Sequence, residues 1–535
     1  MILDFVPDTG AFCLYVDPAK ANPQKLMRTH GLDYSKPAST GGRAVLYTKN
    51  PYAATAFANC ATIGASLQLS PQLDEIAASW KDSSDAHIKC PPDQELWPFQ
   101  RAAVEYALRR RHTLIGDQPG LGKTPTAICL SNELGARRVL VVCPANIRRQ
   151  WARMVRIWST MPGRPLIYPI VHSRNGVHPT AEWTIVSYDL ARSPAIFETL
   201  LKGRYDLLIL DEAHYLKSPS ARRTRSIFAE GVECLSEVSE RVVALTGTPL
   251  PNRPKECYTL TRGLCFEAID GMSEAKFLHR FNPAMRGETE DGTVFTDERT
   301  GRLPELQSRL RSHFMVRRLK KDVLSQLPQI RHQITHIDPD GAIRKALEAE
   351  SMLAIDPTHL EGKDAEVLGH ISVVRKMMGM AIAPHAASYV DMLLDGGEEK
   401  IFLVGWHIDV LNILEAHLEK WGVLRVDGST SMAARERNVA EFQSNPRKRI
   451  FLGNILAIGI GVDGLQNVAS HMVAAEPDWT PGNNQQVVDR LHRIGQNNAV
   501  LAEWLVAPGS FAERILATSI DKLHDIDVSL DKQGW

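Results

Sequence analysis

Two blocks of consecutive apolar residues restrict most strongly how this chain of 535 residues can fold. Strands that are apolar along their whole length are covered on both faces, which is typical of parallel sheets flanked by helices. The sequence therefore predicts an α/β fold with two parallel-sheet lobes. The mainly apolar runs of the first block lie at 139–142, 183–186, 207–210 and 242–245, and those of the second lie at 401–404, 449–452 and 471–474.

The sequence around these blocks predicts four segments. They are a small α+β module over 1–90, the first lobe over 91–251, a mainly helical insertion over 252–385, and the second lobe over 386–535. The first segment shows strand patterns at 14–16 and 44–47 and a helix pattern over 51–69, and its role stays open. Asp, Ser and Pro at 82–85 and 91–93 indicate a linker.

Composition narrows the class of protein. Basic and acidic residues balance at 62 each, so any contact with nucleic acid must depend on local clusters of charge. The eight cysteines form no C-x-x-C pair, which argues against a zinc site and favours reduced thiols inside a cell. The N-terminus lacks a secretory pattern, and no apolar run reaches the ~18 residues of a membrane span. We therefore expect an internal protein without membrane contact.

The sequence DQPGLGKT at 117–124 is the strongest local motif. It follows a short apolar stretch and precedes a helical pattern, so backbone N–H groups in this turn can surround phosphate oxygens. Lys123 can then reach the β- and γ-phosphates, and the Thr124 hydroxyl can bind Mg²⁺. Asp117 replaces the glycine of the strict pattern, which leaves an ordinary glycine turn as the alternative. The motif predicts ATP and Mg²⁺ as cofactors, with binding residues Gln118, Gly120, Leu121, Gly122, Lys123 and Thr124.

Two acidic residues end the apolar run at 207–210. Asp211 and Glu212 open the sequence DEAH. From the end of a buried strand, Asp211 can bind Mg²⁺ and Glu212 can orient or deprotonate the attacking water. A solvated acidic loop is the alternative, which the buried strand and the upstream phosphate motif make weaker.

A basic segment at 486–496 belongs to the second block. Arg490 and Arg493 are three residues apart and are expected to share one helix face, although a plain amphipathic surface helix is the alternative. Such arginines stabilise charge on a γ-phosphate in the transition state, which contributes ~10³–10⁵ in rate. ATP is then expected to bridge the lobes, so that binding and hydrolysis move them. The predicted catalytic residues are Lys123, Asp211, Glu212, Arg490 and Arg493.

The ordered set of motifs resembles the Swi/Snf-like family of superfamily-two DNA translocases, from about Leu96 to about Lys522. Within that family it is most similar to the annealing-helicase-like branch and its short phage or bacterial members. The matching segments are VCPAN at 142–146 with Gln150-Trp151, LTGTP at 245–249, FMVRRLKKDV at 314–323, DGST at 427–430 and RIGQ at 493–496. The resemblance implies two RecA-like lobes and an ATPase of the helicase class with a DEAH box.

The resemblance also implies further nucleotide contacts. Gln100 corresponds to the residue that reads adenine, beside Phe99, where the family commonly has tyrosine. The segment AIGIGVDGLQ at 457–466 departs from the family pattern A-G-G-x-G-L-N-L. Gly461 and Asp463 align there with positions that contact the nucleotide.

Contacts with DNA follow from the same resemblance and from clusters of basic residues, although a solvated helix face is the more frequent alternative for each cluster taken singly. The segment that contains Gln150 and Trp151 is similar to a motif that contacts DNA. Lysine and arginine contacts with phosphates position a protein on DNA without reading its sequence. The predicted DNA-binding residues are Asn146, Arg148, Tyr188, Arg317, Arg318 and Trp479.

Together these patterns predict an ATP-dependent translocase on double-stranded or forked DNA, for fork remodelling, strand annealing or protein displacement. We expect a monomer with replication or recombination proteins as partners, in the cytoplasm of a bacterial or phage-infected cell or in a eukaryotic nucleus. The alternatives are a strand-separating DNA helicase, a DEAH-box RNA helicase and a DNA-binding protein with a decayed ATP site. The RIGQ sequence disfavours the RNA helicase, and the intact motif residues disfavour the decayed site. Direction of travel and biological substrate stay open.

Overall fold

The computed structural model of the chain divides into two compact units, Met1–Gln118 with Gly122–Val323 and Leu324–Leu523 with Pro119–Leu121. Among the described residues, no helix is long and apolar enough to cross a membrane. The structure describes residues 2–6, 11–16, 23–30, 33–34, 44–48, 68–69, 75, 78–163, 165–173, 176–229, 231, 233–247, 254–288, 294–298, 302–324, 326–353, 365–459, 462–478 and 481–516.

The N-terminal residues form a small sheet of their own. Its strands are β1 (Ile2–Val6), β2 (Ala11–Val16), β3 (Asp33–Tyr34), β4 (Ala44–Thr48) and β5 (Gln68–Leu69), in the order β3-β4-β2-β1-β5, and Pro23–His30 is helical. Leu14, Val16 and Leu46 are buried, as expected for strands with one covered face. Most of the helix predicted over 51–69 lies outside the described residues, and its last two residues are in β5 instead.

A parallel sheet of seven strands forms the centre of the first unit. The strands are β6 (His112–Ile115), β7 (Val139–Cys143), β8 (Ile167–Pro169), β9 (Trp183–Ser187), β10 (Tyr205–Asp211), β11 (Ser239–Leu245) and β14 (Met315–Val316), in the order β14-β6-β11-β10-β7-β9-β8. Every strand pair in it is parallel, and Leu208 of β10 pairs with both Val242 and Leu140. Consecutive residues of the central strands are buried, because helices cover both faces.

The helices of the first unit come from both sides of residue 252. They are Pro98–Leu108, Lys123–Leu134, Arg148–Trp158, Tyr188–Ala191, Pro194–Leu201, Arg222–Ile227, Tyr258–Leu264, Glu274–Phe281, Leu303–His313 and Lys320–Val323. Tyr258, Phe277 and Leu306 share one hydrophobic core with Leu208 and Leu210 of β10. The segment 252–385, predicted as mainly helical, is thus divided between the units. It also contains the paired strands β12 (Ala284–Glu288) and β13 (Val294–Glu298).

A parallel sheet of six strands forms the centre of the second unit. The strands are β15 (Ile330–His336), β16 (Ile401–Gly405), β17 (Val423–Val426), β18 (Ile450–Asn454), β19 (His471–Ala474) and β20 (Val500–Val506), in the order β15-β20-β19-β16-β18-β17. Ile401 and Leu403 of β16 pack into one core, and Phe402 and Val404 pack into another. The helices are Gly341–Met352, Ala365–Asp395, Ile408–Leu418, Met432–Ser444, Ile455–Ile458 and Pro481–Val488. The prediction of two parallel-sheet lobes is confirmed.

Candidate nucleotide site

A glycine-rich turn joins β6 to the helix Lys123–Leu134. Gly120 and Gly122 have φ angles of 85° and 74°, in the left-handed region that residues with a β-carbon rarely adopt. A β-carbon on Gly122 would also lie 2.3 Å from Nε2 of Gln100. The backbone conformation therefore favours glycine at 122, and a side chain there would also displace the end of the Gln100 side chain. The turn ends at a helix N-terminus, where backbone N–H groups suit an anion.

The ammonium group of Lys123 is directed back onto the turn. Its Nζ donates to the carbonyl oxygens of Asp117 at 2.7 Å and Gln118 at 3.3 Å. Burial lowers the pKa of Lys123, and the nearby charges of Glu212, Asp117 and Asp211 act in the opposite direction. Neutral carbonyl acceptors can be exchanged for phosphate oxygens, so this lysine fits the predicted contact. Thr124 follows at the first turn of the helix and is half-buried.

Gln100 lies against the glycine turn from the helix Pro98–Leu108. Its Oε1 accepts a hydrogen bond from the Trp97 backbone N–H at 2.9 Å, which leaves its amide nitrogen facing Gly122. Phe99 and Leu121 are both buried. The structure thus brings Gln100 to the turn, and the adenine contacts of Gln100 and Phe99 stay predictions.

Asp211 is the last residue of β10, and its carboxylate is held by two donors. Nε1 of Trp151 donates to Oδ2 at 2.6 Å, and the backbone N–H of Glu212 donates to Oδ1 at 2.9 Å. Burial raises the pKa of Asp211 to about 6, and the adjacent Glu212 charge acts in the same direction, while Trp151 and Lys123 oppose it. The carboxylate is therefore fixed in orientation before any metal binds.

Glu212 lies at the start of a short chain of polar contacts. Its backbone φ is 51°, a left-handed conformation that costs energy in a residue with a side chain. Nδ1 of His214 lies 3.2 Å from Oε2 of Glu212 and 3.1 Å from Oγ1 of Thr246. Thr246 belongs to the LTGTP segment, of which 248–249 lie outside the described residues. The predicted water-activating residue is thus connected through His214 to the end of β11.

Tyr188, predicted to contact DNA, lies beneath the acidic pair. Its hydroxyl donates to the backbone carbonyl of Asp211 at 2.9 Å. Its ring stacks on Tyr215 with centroids 5.7 Å apart, and the residue is buried. This placement favours support of Asp211, and contact with DNA stays a prediction.

Arg148 begins the helix Arg148–Trp158 beside a short turn that contains Asn146. Its guanidinium group donates to the carbonyl oxygens of Ala145 at 2.9 Å and Ile170 at 2.5 Å, and the residue is half-buried. The side chain of Asn146 lies outside the described part of the structure. Phosphate contact at both positions stays a prediction.

Arg317 and Arg318 are buried inside the first unit, with exposed fractions of 5% and 4%. Nη1 of Arg317 donates to the carbonyl oxygens of Gly116 and Gly247, at 2.7 and 3.1 Å. Nη1 of Arg318 lies 3.5 Å from both carboxylate oxygens of Asp117. Their hydrogen-bonding groups are thus occupied within the unit, which favours a role other than the predicted phosphate contact.

The two arginines of the second unit converge on one carboxylate. Nη1 of Arg490 lies 3.1 Å from Oδ1 of Asp463, and Nη1 of Arg493 donates to the same oxygen. The helix Pro481–Val488 ends before both arginines, so they lie in the turns that follow rather than on a helix face. Their guanidinium groups nevertheless meet at Asp463, one of the predicted nucleotide contacts. Gly461 and Trp479 lie outside the described residues.

Trp151 is the residue of this site that the sequence assigns to another role. Its motif, with Gln150, resembles one that contacts DNA in related proteins, and nothing in that resemblance indicates a bond to Asp211. The useful signal would have been chemical, since an indole N–H in an otherwise buried position generally has a hydrogen-bond partner. Trp151 is 1% exposed, so its partner had to be another buried group.

Comparison with known proteins extends over most of the chain. Residues 99–380 match the SNF2-related domain, and residues 386–495 match the helicase conserved C-terminal domain. The chain is 30% identical to the DNA annealing helicase and endonuclease ZRANB3 of Homo sapiens over 446 residues, which are 80% of this chain and 40% of that relative.

A second group of relatives shows similar identity. The SWI/SNF-related matrix-associated actin-dependent regulator of chromatin subfamily A-like protein 1 of Bos taurus is 33% identical over 425 residues, which are 78% of this chain and 43% of that protein. The chain therefore spans less than half the length of these two relatives. The solved SWI2/SNF2 ATPase core of Sulfolobus solfataricus in complex with dsDNA aligns with a TM-score of 0.39 and 18% identity, covering 84% of this chain and 96% of that one.

The match to the SNF2-related domain covers more than half of the chain and includes the glycine turn, the acidic pair and the Arg317–Arg318 segment. The helicase C-terminal domain follows it and includes Asp463, Arg490 and Arg493. The Swi/Snf-like resemblance of the sequence is thus confirmed, and this chain belongs to the SNF2-related family.

Proposed function

We propose that this chain is an ATP-dependent translocase that couples hydrolysis to movement along double-stranded DNA. The observation that carries the proposal is that Asp211 and Glu212 lie close enough to Lys123 for their charges to act on its pKa, and that Lys123 in turn acts on the pKa of Asp211. Phosphoryl transfer requires a cation that binds the phosphates, a carboxylate that holds Mg²⁺ and a second carboxylate that activates water. Lys123, Asp211 and Glu212 would supply these three groups. Membership of the SNF2-related family supports DNA as the track.

The residues of the glycine turn and the acidic pair divide the work on ATP. The turn with Gly120 and Gly122 would bind the phosphates, and Lys123 would exchange its carbonyl partners for their oxygens. Bound Mg²⁺ would neutralise phosphate charge, held by the Thr124 hydroxyl and the Asp211 carboxylate directly or through water. Glu212 would accept the proton of the attacking water.

Arg490 and Arg493 would complete the chemistry by stabilising charge that develops on the γ-phosphate. Because both guanidinium groups already meet at Asp463, a phosphate that replaces this carboxylate would receive two cations at once. Asp463 would then act as a stand-in partner that keeps the arginines together between turnovers. The nucleotide contact that the family resemblance implies for Asp463 itself stays a prediction.

The DNA-related part of the proposal is supported by the relatives. Two of them are named DNA annealing helicases in Homo sapiens and Bos taurus, which favours fork remodelling, strand annealing or protein displacement on duplex or forked DNA. We further propose a monomer that works with replication or recombination proteins, in the cytoplasm of a bacterial or phage-infected cell or in a eukaryotic nucleus.

The experiment that tests the proposed function compares the ATPase rate on four polynucleotides. Duplex DNA, forked DNA, single-stranded DNA and RNA are supplied at equal nucleotide concentration, with Lys123→Ala as the inactive control. We expect duplex and forked DNA to stimulate hydrolysis most. Stimulation by RNA but not by duplex DNA would contradict the proposal in favour of an RNA helicase, and efficient unwinding of a tailed duplex would favour a strand-separating helicase.

A further inference from the structure

Residues 79–84, which we call the strap, are built into the first unit although they precede the SNF2-related match that begins at 99. The Ser79 hydroxyl donates to the carbonyl oxygen of Met315 at 2.8 Å and accepts from Nη1 of Arg311 at 3.1 Å. Nε of Arg101 donates to the carbonyl oxygen of Ser84 at 2.8 Å. These residues therefore do not behave as the linker that their composition indicates.

The chain that leaves β14 runs beside the first half of the glycine turn. The N–H of Gly116 donates to the carbonyl oxygen of Val316 at 2.8 Å, and the N–H of Gln118 donates to that of Arg318 at 3.1 Å. The N–H of Lys320 donates to Oε1 of Gln118 at 2.8 Å. Two backbone bonds thus extend the parallel pairing of β14 and β6 into the nucleotide turn, and the Gln118 side chain adds a third bond beside them.

Arg318 connects the strap with this turn. Its Nε and Nη2 donate to the carbonyl oxygen of Lys81 at 3.0 and 2.7 Å, while Nη1 pairs with Asp117 at 3.5 Å. The side chains of Arg318 and Asp117 are only 3% and 2% exposed. Burial lowers the pKa of Arg318, and the Asp117 charge opposes that shift. A buried charge of this kind depends on its partner, because water cannot replace it.

We propose that Asp117 and Arg318 are positioning residues of the nucleotide site and that the strap is part of its support. Asp117 joins two functions in one residue, since its carboxylate pairs with Arg318 while its carbonyl oxygen accepts from Lys123. The pair therefore fixes the point on which the lysine rests. This role also explains why an acidic residue replaces the glycine of the strict phosphate-binding pattern.

The inference rests on the proposed ATP-binding function, and it replaces phosphate contact as the role of Arg318. The two roles predict different defects. A positioning residue controls nucleotide affinity in the absence of DNA, whereas a phosphate contact controls DNA affinity and its dependence on salt.

The test measures two properties of the full chain without DNA. One is the Kd for mant-ADP, and the other is the hydrogen-exchange rate of the backbone amides at 116–118. The variants are Arg318→Met, Asp117→Asn and their combination. Arg309→Met is the matched control, because Arg309 is a buried arginine of the same unit that pairs with Glu305 and Asp270 instead.

We expect Arg318→Met to raise the Kd for mant-ADP about tenfold. A turn that adopts its binding conformation only about a tenth of the time binds nucleotide about tenfold more weakly. Exchange at 116–118 should accelerate in the same variant. Asp117→Asn should change both readouts in the same direction, and the double variant should be no worse than Arg318→Met, because one pair is lost in each case. Arg309→Met should lower the melting temperature while leaving Kd and local exchange unchanged.

Arg318→Lys keeps the inference testable if Arg318→Met fails to fold. Lysine retains the charge but cannot bind Lys81 and Asp117 through a planar fork, so a smaller rise in Kd is expected. Unchanged Kd and exchange in a folded Arg318 variant would overturn the inference, as would reduced DNA affinity and a shallower salt dependence at unchanged nucleotide Kd. A wild-type chain that binds no mant-ADP would instead overturn the proposed function, and the inference with it.

Discussion

The backbone of Glu212 is the most informative single-residue feature of the site. Within the described part of the chain, Asp270 and Arg302 are the other non-glycine residues with positive φ. Strain of this kind persists where the surroundings hold it, and here Glu212 follows the buried end of β10 and donates its N–H to Asp211. The sequence DEAH predicts the acidic pair, but no sequence pattern predicts the strained conformation that directs the two carboxylates differently.

The roles assigned to Lys123 and Glu212 separate binding from hydrolysis. We expect Lys123→Ala to weaken ATP binding and abolish turnover, because it removes the charge that faces the phosphates. Glu212→Gln should keep ATP binding and stop turnover, because an amide cannot accept the proton of the attacking water. Nucleotide titration and steady-state ATPase rates measure the two effects. Hydrolysis by Glu212→Gln at the parental rate would show that another group activates the water.

The arginines of the second unit lead to a prediction about the transition state. Arg493→Ala should slow hydrolysis by roughly 10³-fold with little change in ATP affinity, because the contact strengthens as charge develops. The control is Arg437→Ala, an exposed arginine of the same unit. A rise in KM at unchanged kcat would show that Arg493 only binds substrate.

At the scale of elements, the apolar runs predict the strands well, but they predict poorly which side chains from different elements contact one another. The run at 207–210 leads directly into the acidic pair, so the sequence predicts both the strand β10 and the chemistry at its end. Strand β15 escapes prediction because only two of its residues, Ile330 and Ile334, are apolar and none is fully buried, as an edge strand permits. The contact between Trp151 and Asp211 also escapes prediction, since the residues are separated by 60 positions.

The bond from Trp151 to Asp211 leads to a prediction about metal binding. Trp151→Phe keeps a ring in the core but removes the N–H donor, so Asp211 should lose its fixed orientation. We expect Mn²⁺ affinity, measured by EPR in the presence of ADP, to fall about 10-fold, within the range seen when groups that orient metal ligands are removed.

Trp183→Phe is the matched control for this substitution. Trp183 is equally buried in β9, but its Nε1 donates to the sulfur of Met161 at 3.3 Å. The Trp183→Phe variant should therefore lose stability without losing Mn²⁺ affinity. Equal affinity losses in both variants would mean that general loosening of the core, rather than the Asp211 bond, is responsible.

A buried polar network crosses the sheet of the second unit. Nε2 of His471 lies 2.9 Å from Oε2 of Glu503, and Nδ1 lies 3.6 Å from Glu398. Oε1 of Glu503 also accepts from Gln333 and Thr335. Burial alone would lower the pKa of His471, but its hydrogen bonds to Glu398 and Glu503 raise it to about 9.

This network makes stability depend on pH in a defined direction. Protonated His471 stabilises the fold fully below its unfolded pKa of ~6.5, and the contribution is lost as pH rises through its folded pKa. That folded pKa is about 9, so the melting temperature should fall between these two pH values. His471→Gln should flatten the fall, and the exposed His417→Gln should not. If His471→Gln showed the same dependence of melting temperature on pH as the parental protein, other groups would be responsible for that dependence.

At the scale of the whole molecule, balanced charge determines how DNA can be bound. With 62 basic and 62 acidic residues, affinity must come from a local strip of cations, and burial makes Arg317 and Arg318 less favourable candidates than the sequence suggests. Sequence clusters show where basic residues are abundant. They do not show which of them are exposed, because burial is decided by partners such as Asp117, which is 201 positions from Arg318.

The proposed movement along a duplex predicts a specific pattern of activity. ATP should drive displacement of a third strand from a triplex, with poor unwinding of a blunt duplex, because a motor that follows the duplex need not separate its strands. The logarithm of the DNA affinity should fall linearly with the logarithm of salt concentration, and the slope reflects the number of phosphates that are contacted. Gel displacement and binding assays measure both properties. Weak salt dependence would contradict a contact dominated by phosphates.

The edge strand β14 has a consequence for biosynthesis. It pairs with β6, the strand that leads into the glycine turn, yet it follows β11 only after the residues from Leu245 to Met315 have been made. At translation rates of about 5–20 residues per second, that interval lasts on the order of ten seconds. During this time one edge of β6 has no strand to pair with, and strands of other proteins can pair with such an edge. The ribosome-bound intermediate is thus the stage at which a chaperone would matter most.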